Sequence, residues 1–206
     1  MIASSGELVS LGSATLGESG ASRMASRIKP VWRGAMVAAP AFAVHCSAGD
    51  NLAVHVAAAT APAGCVLCVD VGDVADLGYW GEVLTTAAES RGIVGLVIDG
   101  CVRDVDALEA HGFPVFSTGA SLPGATKDKP GRVGRAAAVG GVVVRPGDWI
   151  VGDVDGVVVL AADRLDEVIA AGRARTEKEA GFFEALRGGA TTVELLGLDA
   201  SLIEGP

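Results

Sequence analysis

An arginine and an aspartate stand side by side at Arg103 and Asp104, directly after a short apolar run. A third charged residue, Glu82, lies upstream, with twenty residues between it and the arginine. A guanidinium group binds a carboxylate through two parallel hydrogen bonds, and carboxylate oxygens are the ligands that Mg²⁺ prefers. If the three side chains converge, they suit a small carboxylate ligand together with a hard divalent cation.

A strand–helix–strand unit is predicted to bring these side chains together. Residues 65–71 and 95–99 are apolar runs typical of buried strands, and the apolar positions within 81–92 recur at helical spacing. Strands joined by a helix in this way are parallel. Residues 103–104 then lie just beyond the carboxyl end of the second strand, which is the edge where open α/β sheets bind ligands.

The same edge holds the N-terminus of the helix that begins near Gly81. The first N–H groups of this helix, near Val83 and Leu84, have no acceptor inside the helix, so they can hold an anion. The sequence therefore predicts an anion site next to the charged pair, at the position where a carboxylate ligand would lie.

A purely structural interpretation of the three charged residues also stays open. Arg103 could form a surface ion pair with Asp99 or Asp106. Glu82 could serve only to stabilise the positive end of the helix dipole. These alternatives differ from the ligand-binding hypothesis in where the side chains point, which the three-dimensional structure can decide.

Two of the four cysteines, Cys65 and Cys68, have the spacing of half a zinc site. No second pair of cysteines or histidines follows at ligand spacing. Residues three apart in a strand point to opposite faces, which disfavours joint ligation. We therefore expect these thiols to be core residues, and the protein to be reduced and cytoplasmic.

The acidic balance of the chain argues against binding to nucleic acid. Lys and Arg total 16 against 25 Asp and Glu, a formal net charge of −9, and such a chain repels phosphate backbones. Apolar residues make up 50% of the sequence but occur in runs far shorter than the roughly 20 residues that cross a bilayer, so we expect no membrane contact. No glycine-rich nucleotide motif is present, which disfavours enzymes that act on nucleotides or methyl donors.

The remaining segments predict one α/β domain over 1–206, with an N-terminal arm of about 1–25 and a C-terminal helical arm of about 163–206. The expected elements are a helix over 7–19, a strand over 35–44 interrupted at Pro40, helices over 52–59 and 105–111, a strand over 114–116, loop and irregular strand over 117–138, a Val-rich meander over 139–160, a helix over 163–186 and a short strand or helix over 191–196. The expected buried face of the 163–186 helix comprises Leu165, Val168, Ile169, Phe183 and Leu186.

Several segments of the chain resemble the RraA-like family. The strongest match is Gly81-Glu82 followed by Val-Gly-Leu-Val-Ile-Asp-Gly-Cys-Val-Arg-Asp over 94–104, and the other matches are 27–32, 49–51 with His55, 112–116, 146–148 and 153–159. This family includes the class II 4-hydroxy-4-methyl-2-oxoglutarate/4-carboxy-4-hydroxy-2-oxoadipate aldolases and the regulators of ribonuclease E activity. The aldolases have an acid, twenty residues and then Arg-Asp, as here, whereas the regulators lack the aspartate, so Asp104 favours the aldolase branch.

The resemblance implies a role for each charged residue. Asp104 would bind Mg²⁺ or Mn²⁺, and Arg103 would bind the carboxylate of a small 2-keto acid. Glu82 takes the place of an aspartate that meets the water shell of the metal. Glu179 matches a glutamate that the C-terminal helix of a neighbouring subunit contributes. Either Glu82 or Glu179 would relay the proton of the substrate 4-hydroxyl.

The resemblance also implies the rest of the cleft, the fold and the assembly. The pyruvyl end of the substrate would lie at the helix start, against Gly81, Val83 and Leu84, and the polar residues lining the cleft would be His55 and Lys127. The implied fold is α/β, a three-layer β/β/α sandwich of the swivelling-domain type, assembled as a homotrimer or hexamer with sites between subunits. The implied reaction is metal-dependent cleavage of a 4-hydroxy-2-keto acid to pyruvate, with oxaloacetate decarboxylation as a side activity. The alternative is a non-catalytic regulator of ribonuclease E or another protein partner.

Overall fold

The computed structural model describes residues 5–205, so residues 1–4 and 206 of the expected terminal arms lie outside the described residues. The helices are α1 (Ser5–Glu18), α2 (Leu52–Thr60), α3 (Glu82–Ser90), α4 (Val105–His111), α5 (Leu165–Arg187) and α6 (Thr192–Leu196), with short 3₁₀ turns at Ala162–Arg164 and Ala200–Leu202. The strands are β1 (Ser22–Arg23), β2 (Lys29–Pro30), β3 (Val37–Cys46), β4 (Val66–Asp70), β5 (Gly95–Asp99), β6 (Cys101–Val102), β7 (Val115–Ser117), β8 (Gly119–Ala120), β9 (Gly131–Val133), β10 (Ala137–Val139), β11 (Val142–Val144), β12 (Trp149–Gly152) and β13 (Val157–Leu160).

Four parallel strands form the centre of the main sheet and confirm the predicted strand–helix–strand unit. β3, β4, β5 and β7 lie side by side in that order, and α3 connects β4 to β5. The register pairs Asp70 with Asp99, so β4 and β5 end at the same edge. The loop before α3 and the loop after β5 therefore leave the sheet side by side, as parallel topology requires.

The antiparallel part of the sheet curls over one face of the parallel part. β12 and β13 follow β3 as a meander, and β10 and β11 form a hairpin closed by Gly140 and Gly141, whose φ values of 59° and 79° suit a two-residue turn. The Val-rich run over 139–160 thus forms antiparallel pairs as predicted, but β11 does not pair with β12, so the two pairs lie in different sheets and do not form one meander. The expected interruption of β3 at Pro40 is wrong, because Pro40 pairs with Trp149 at the very start of β12, where a missing N–H costs little.

Three layers result, and they confirm the expected β/β/α sandwich. Helices α2, α3 and α4 cover one face of the parallel strands, over a core that includes Leu67 and Ile98. On the other face the curled strands enclose a second core, in which Val66 and Val97 meet Val159. Alternating residues of β4 and β5 thus face different cores, as strand geometry requires, and the ends of these strands are held rigidly between two packed layers.

The terminal helices pack on the outer face of the curl. Leu8 and Leu16 of α1 are buried together with Val168 and Ile169 of α5, over β12 and β13. The predicted buried face of α5 is correct for Val168 and Ile169 but wrong for Phe183, which is 53% exposed. Helical spacing alone predicts that Phe183 is buried, but the distal half of α5 buries no residue against the body.

The two cysteines with zinc-like spacing lie in different cores, as their strand geometry predicted. Cys65 packs on the helix-covered face and Cys68 on the curled face. Burial raises the pKa of the Cys65 thiol to about 11, so it stays protonated at neutral pH.

Over residues 5–205, no three His, Cys, Asp or Glu side chains cluster so as to hold a metal ion by themselves. In the same span, every helix is too short or too polar to cross a membrane.

Candidate active site

Two adjacent loops build the site at the carboxyl edge of the parallel strands. One leads into α3, and the other leads from β5 through β6 to α4. The N–H of Arg103 donates to the carbonyl of Trp80 over 2.8 Å, and the N–H of Tyr79 donates to the carbonyl of Cys101 over 3.1 Å. These backbone bonds hold the arginine–aspartate pair against the start of α3.

The backbone of Asp104 has an unusual conformation that directs its carboxylate to α3. Its φ of 59° is the one positive value among the described non-glycine residues, and a left-handed conformation costs an L-residue about 1 kcal/mol. The Oδ2 atom accepts a hydrogen bond from the N–H of Glu82 over 3.1 Å and lies 3.7 Å from Nε of Arg103. Asp104 makes no side-chain cap to α4, so its strained backbone serves instead to direct the carboxylate to the start of α3.

Two glycines leave the space that the charged pair occupies. A Cβ atom at Gly81 would overlap Oδ2 of Asp104 and lie 3.1 Å from Cγ of Arg103. A Cβ atom at Gly78 would lie 3.1 Å from Cδ of Arg103 and 2.7 Å from the carbonyl oxygen of Ser121. The resemblance places Gly81 in the binding surface for the substrate, and the structure shows that it also leaves space for Asp104.

A cleft of about 180 Å³ opens between these loops and the start of α2. Its lining includes seven of the nine residues expected at the site, namely Arg103, Asp104, Gly81, Val83, Leu84, His55 and Lys127. The lining residues that sequence analysis missed are Asn51, Gly78, Tyr79, Trp80, Gly124 and Ala125. Residues from four separate segments of the chain therefore meet in one small space.

The start of α3 faces the cleft with backbone donors that the helix does not use. The first intrahelical bond runs from the N–H of Thr85 to the carbonyl of Gly81 over 3.0 Å. The preceding N–H groups, those of Val83 and Leu84, therefore have no acceptor within the helix. Next to Arg103 they complete the combination of guanidinium, carboxylate and helix N-terminus that suits an anion with a cation.

The described residues do not support the simpler alternative of a surface pair between Arg103 and Asp99. Asp99 accepts two hydrogen bonds from Arg27, of 2.9 and 2.6 Å, and a third from the N–H of Gly140 over 3.0 Å. Arg103 instead lies 3.7 Å from Asp104, and its side chain is 46% exposed. Its guanidinium can therefore still reach a ligand in the cleft.

Two expected residues lie outside the cleft of their own chain. Glu82 begins α3, but its Oε1 atom lies 3.8 Å from Nε2 of His111 on α4. Its place in the first turn also agrees with a simple helix-dipole role. Glu179 lies on the distal half of α5, where it pairs with Arg175 over 2.8 Å. Its assignment to the site of a neighbouring subunit stays a prediction.

The cleft carries two further basic side chains, His55 on α2 and Lys127 in the loop before β9. Burial lowers the pKa of His55, and the charge of Lys127 lowers it further, while Asp50 acts in the opposite direction. His55 is therefore neutral at neutral pH and can donate or accept a hydrogen bond. Because Arg103 and Lys127 face one carboxylate, that of Asp104, the cleft favours an anionic ligand.

A buried aspartate fixes the loop that carries Lys127. Asp50 is 1% exposed, and its carboxylate accepts four hydrogen bonds of 2.7–3.1 Å, from the hydroxyl of Thr126 and the N–H groups of Leu52, Asp128 and Lys129. Burial alone would raise the pKa of Asp50, but these hydrogen bonds outweigh burial and hold the pKa well below its ordinary value. The loop is thereby tied to the start of α2, which brings Lys127 and His55 to one cleft.

Replacing Asp50 with alanine should lower the free energy of unfolding by about 3 kcal/mol, because four donors lose a buried acceptor. Folding lowers the pKa of Asp50, so the charged carboxylate stabilises the folded state. This contribution to the free energy of unfolding is present above the unfolded pKa of about 4 and is lost as pH falls through the folded pKa. Denaturant unfolding measured from neutral to acidic pH should therefore show an acid-dependent loss of stability that Asp50→Asn lacks. Asp128→Asn, an exposed carboxylate in the same loop, is the matched control, and an equal loss there would contradict this role for Asp50.

Asn51 is a buried cleft residue for which the sequence predicts no role at the site. Its side chain makes no cap bond to α2, and its Nδ2 instead donates to the carbonyl of Tyr79 over 2.8 Å. Its Oδ1 is the one buried side-chain nitrogen or oxygen of residues 5–205 without a hydrogen-bond partner. A buried acceptor of this kind needs a ligand or a water molecule to satisfy it. An Asp-Asn pair before a helix is too common a cap sequence to have indicated this.

The oxygen atoms of the cleft fit a hard divalent cation. Asp104 offers a carboxylate with a 41% exposed side chain, and Asn51 offers the Oδ1 atom that lacks a partner. Mg²⁺ commonly takes only one or two protein carboxylates and completes its shell with water and substrate oxygens. The donor set therefore fits Mg²⁺ or Mn²⁺ held jointly by the protein and a chelating ligand.

Fold and site together define an α/β protein with a curled sheet and a small cleft, lined by Arg103, Asp104 and Lys127, at the carboxyl edge of its parallel strands. Residues 13–159 match the family model described as RraA-like, Aldolase/RraA. The chain therefore belongs to the RraA-like family, which confirms the resemblance found in the sequence.

The chain resembles a candidate aldolase in sequence and two solved structures in fold. A protein of Halalkalibacterium halodurans, named as a candidate 4-hydroxy-4-methyl-2-oxoglutarate aldolase, is 36% identical over 150 residues, which cover 73% of this chain and 71% of that protein. A structure of an uncharacterized protein from Pseudomonas syringae pv. tomato superposes with a TM-score of 0.80 at 26% identity, over 94% of this chain and 92% of that one. The RNA-processing inhibitor RraA from Thermus thermophilis superposes with a TM-score of 0.64 at 26% identity, over 78% and 93%.

Proposed function

We propose that this protein is a divalent-metal-dependent aldolase, a lyase that cleaves a 4-hydroxy-2-keto acid such as 4-hydroxy-4-methyl-2-oxoglutarate to pyruvate. The meeting of Arg103, Asp104 and the free N–H groups of α3 in one cleft carries the proposal. A 2-keto acid has the matching groups, since its carboxylate suits a guanidinium and its adjacent carboxylate and keto oxygens chelate a cation. Several relatives are named as candidates for this aldolase activity, which supports the same substrate.

The reaction breaks the bond between C3 and C4 of the substrate after the 4-hydroxyl loses its proton. The 4-oxygen forms a double bond to C4, so this fragment leaves as a carbonyl compound, while the electron pair of the broken bond moves towards the 2-keto oxygen. Protonation of C3 then yields pyruvate. Arg103 binds the substrate carboxylate and so orients the keto group towards Asp104. The N–H groups of Val83 and Leu84 stabilise negative charge on the pyruvyl oxygens. When bound at Asp104, Mg²⁺ or Mn²⁺ would polarise the keto group and stabilise the charge that develops there.

The proton of the 4-hydroxyl needs an acceptor, and two glutamates are candidates. Glu82 is 57% exposed at the start of α3, so its side chain has room to turn towards the cleft and its water. Glu179, on α5, would act in the cleft of a second copy within the proposed homotrimer or hexamer. His55 and Lys127 would bind the end of the substrate that is released with C4.

Oxaloacetate decarboxylation is the proposed side activity. Loss of CO₂ from C4 of oxaloacetate leaves an electron pair next to the same 2-keto group, so the same residues would stabilise the charge. Protonation of the carbon again yields pyruvate. One assay for pyruvate therefore covers both reactions.

Pyruvate should be released when the protein is supplied with Mg²⁺ or Mn²⁺ and a panel of 4-hydroxy-2-keto acids and oxaloacetate, measured with coupled lactate dehydrogenase. EDTA should reduce the rate to background and excess metal should restore it, since chelation removes the cation and not the fold. Full activity in EDTA, with metal loss verified, would reject the metal role. Absence of pyruvate from every substrate would reject the aldolase and favour the alternative, a non-catalytic regulator of a ribonuclease or another protein, to which the likeness to RraA points.

A further inference from the structure

His111 lies between two glutamates of the neighbouring helix α3. It is the last residue of α4, and its Nδ1 atom lies 2.8 Å from Oε2 of Glu89. Its other ring nitrogen, Nε2, lies 3.8 Å from Oε1 of Glu82. The imidazole is only 25% exposed, so the contact to Glu89 fixes its position and leaves Nε2 directed at Glu82.

The Glu82 carboxylate faces this imidazole and does not line the cleft. The residues on either side of it, Gly81 and Val83, both line the cleft, as does Leu84. The backbone N–H of Glu82 also reaches the site, because it donates to Asp104 over 3.1 Å. Only the carboxylate of Glu82 is directed elsewhere, towards the carboxyl end of α4.

We propose that His111 is a positioning residue that holds the Glu82 carboxylate outside the cleft until a divalent cation binds near Asp104. The inference rests on the proposed function, since it concerns the cation that Asp104 would bind. The cation and its water attract Glu82, and His111 competes for the same carboxylate. Binding of the cation therefore requires Glu82 to leave His111, which weakens the apparent affinity for the cation.

Removing this competition should tighten cation binding by a small and measurable factor. A partly exposed contact at this distance is weak, so its loss should lower the Kd for Mn²⁺ by about two- to fivefold. The effect must disappear when Glu82 carries no charge. Glu82→Gln and the double variant Glu82→Gln/His111→Asn should therefore bind Mn²⁺ equally well.

Two amide substitutions separate the two contacts of His111. The amide of asparagine stands near the place of Nδ1, so His111→Asn can keep the contact to Glu89 and loses the contact to Glu82. The longer glutamine places its amide near Nε2, so His111→Gln can keep the contact to Glu82. In titrations of Mn²⁺ followed by electron paramagnetic resonance, we expect His111→Asn to bind about two- to fivefold tighter and His111→Gln to match the wild type.

A second measurement uses the wild-type protein and does not depend on the folding of a variant. The sequence has three histidines, so the imidazole signals of His111 can be assigned by NMR. Titration with diamagnetic Mg²⁺ should shift these signals as Glu82 leaves, and the shift should be absent in Glu82→Gln.

The inference would be overturned by unchanged or weaker Mn²⁺ binding in His111→Asn, by an equal change in His111→Gln, or by His111 signals that ignore Mg²⁺. The control Asp104→Asn separates this result from the proposed function. If Asp104→Asn leaves Mn²⁺ binding intact, the cation site of the proposed function is wrong and the inference fails with it. If Asp104→Asn abolishes binding and the His111 variants behave alike, only the positioning role is wrong.

Discussion

An Asp104→Asn variant should lose about a hundred- to a thousandfold in kcat/KM for pyruvate release and should lose most of its affinity for Mn²⁺. Asparagine has the shape of aspartate and tolerates a left-handed backbone, so the φ of 59° can be kept. Its side-chain oxygen can still accept the N–H of Glu82. The substitution therefore removes the charge at the cleft and little else.

Asp106→Asn is the matched control for this prediction. Asp106 is an exposed carboxylate in the first turn of α4, two residues from Asp104 and outside the cleft lining. Its substitution removes the same charge nearby and should leave kcat/KM and Mn²⁺ binding close to wild type. If Asp104→Asn stays within about tenfold of wild type at saturating metal, Asp104 does not bind the essential cation.

A Gly81→Ala variant should lose about a hundredfold in kcat/KM while its free energy of unfolding changes by less than about 1 kcal/mol. The φ of −165° at Gly81 is extended backbone that any residue adopts, so alanine brings no backbone strain. Its Cβ atom would overlap Oδ2 of Asp104 and crowd Cγ of Arg103, at 3.1 Å. The Asp104 carboxylate can turn away at small cost to the fold, but the site then loses its geometry.

Gly6→Ala on α1 provides the control, because a Cβ atom there would meet nothing within 4 Å. We expect it to keep full activity and to be equally or slightly more stable, since alanine favours a helix. Thermal unfolding and steady-state kinetics on both variants give the comparison. Normal kcat/KM in Gly81→Ala would mean that the close approach of Asp104 to α3 is not needed for catalysis.

The part of the site that the sequence predicts is the part set by regular secondary structure. Apolar runs and helical spacing identify β4, α3 and β5, and parallel topology then places Arg103, Asp104 and the start of α3 at one edge. The same logic explains the opposite faces of Cys65 and Cys68. These predictions need only the direction of the chain and the alternation of side chains along a strand.

The features that the sequence does not predict depend on contacts between distant loops. Asp50 is an ordinary turn residue until the loop at 126–129 folds onto it. The unpaired Oδ1 of Asn51 is likewise visible only once Tyr79 has engaged the other half of the amide. Glu82 belongs to the right turn of α3, but the turn does not determine which neighbour attracts its flexible side chain.

The wrong prediction that Phe183 belongs to the buried face of α5 has a similar origin. Helical spacing grouped Phe183 with Val168, although spacing cannot reveal where the underlying sheet ends. Val168 lies over β12 and β13 and is buried. The exposed distal half of α5 carries Glu179, whose role in a second copy is proposed from the resemblance and not from its position in a single chain.

The central claim is that Arg103, Asp104 and the start of α3 bind one anion that is chelated to a divalent cation. Calorimetric titration with oxalate, a small chelating anion, tests this claim directly. The titration is done with and without Mn²⁺, and the heats are corrected for the complex that oxalate and Mn²⁺ form in solution. We predict that oxalate binds at least about tenfold tighter with Mn²⁺, that Mn²⁺ gains the same factor from oxalate, and that Arg103→Ala removes most of the affinity for oxalate. Equal oxalate binding with and without Mn²⁺, or binding that Arg103→Ala leaves unchanged, would contradict the claim.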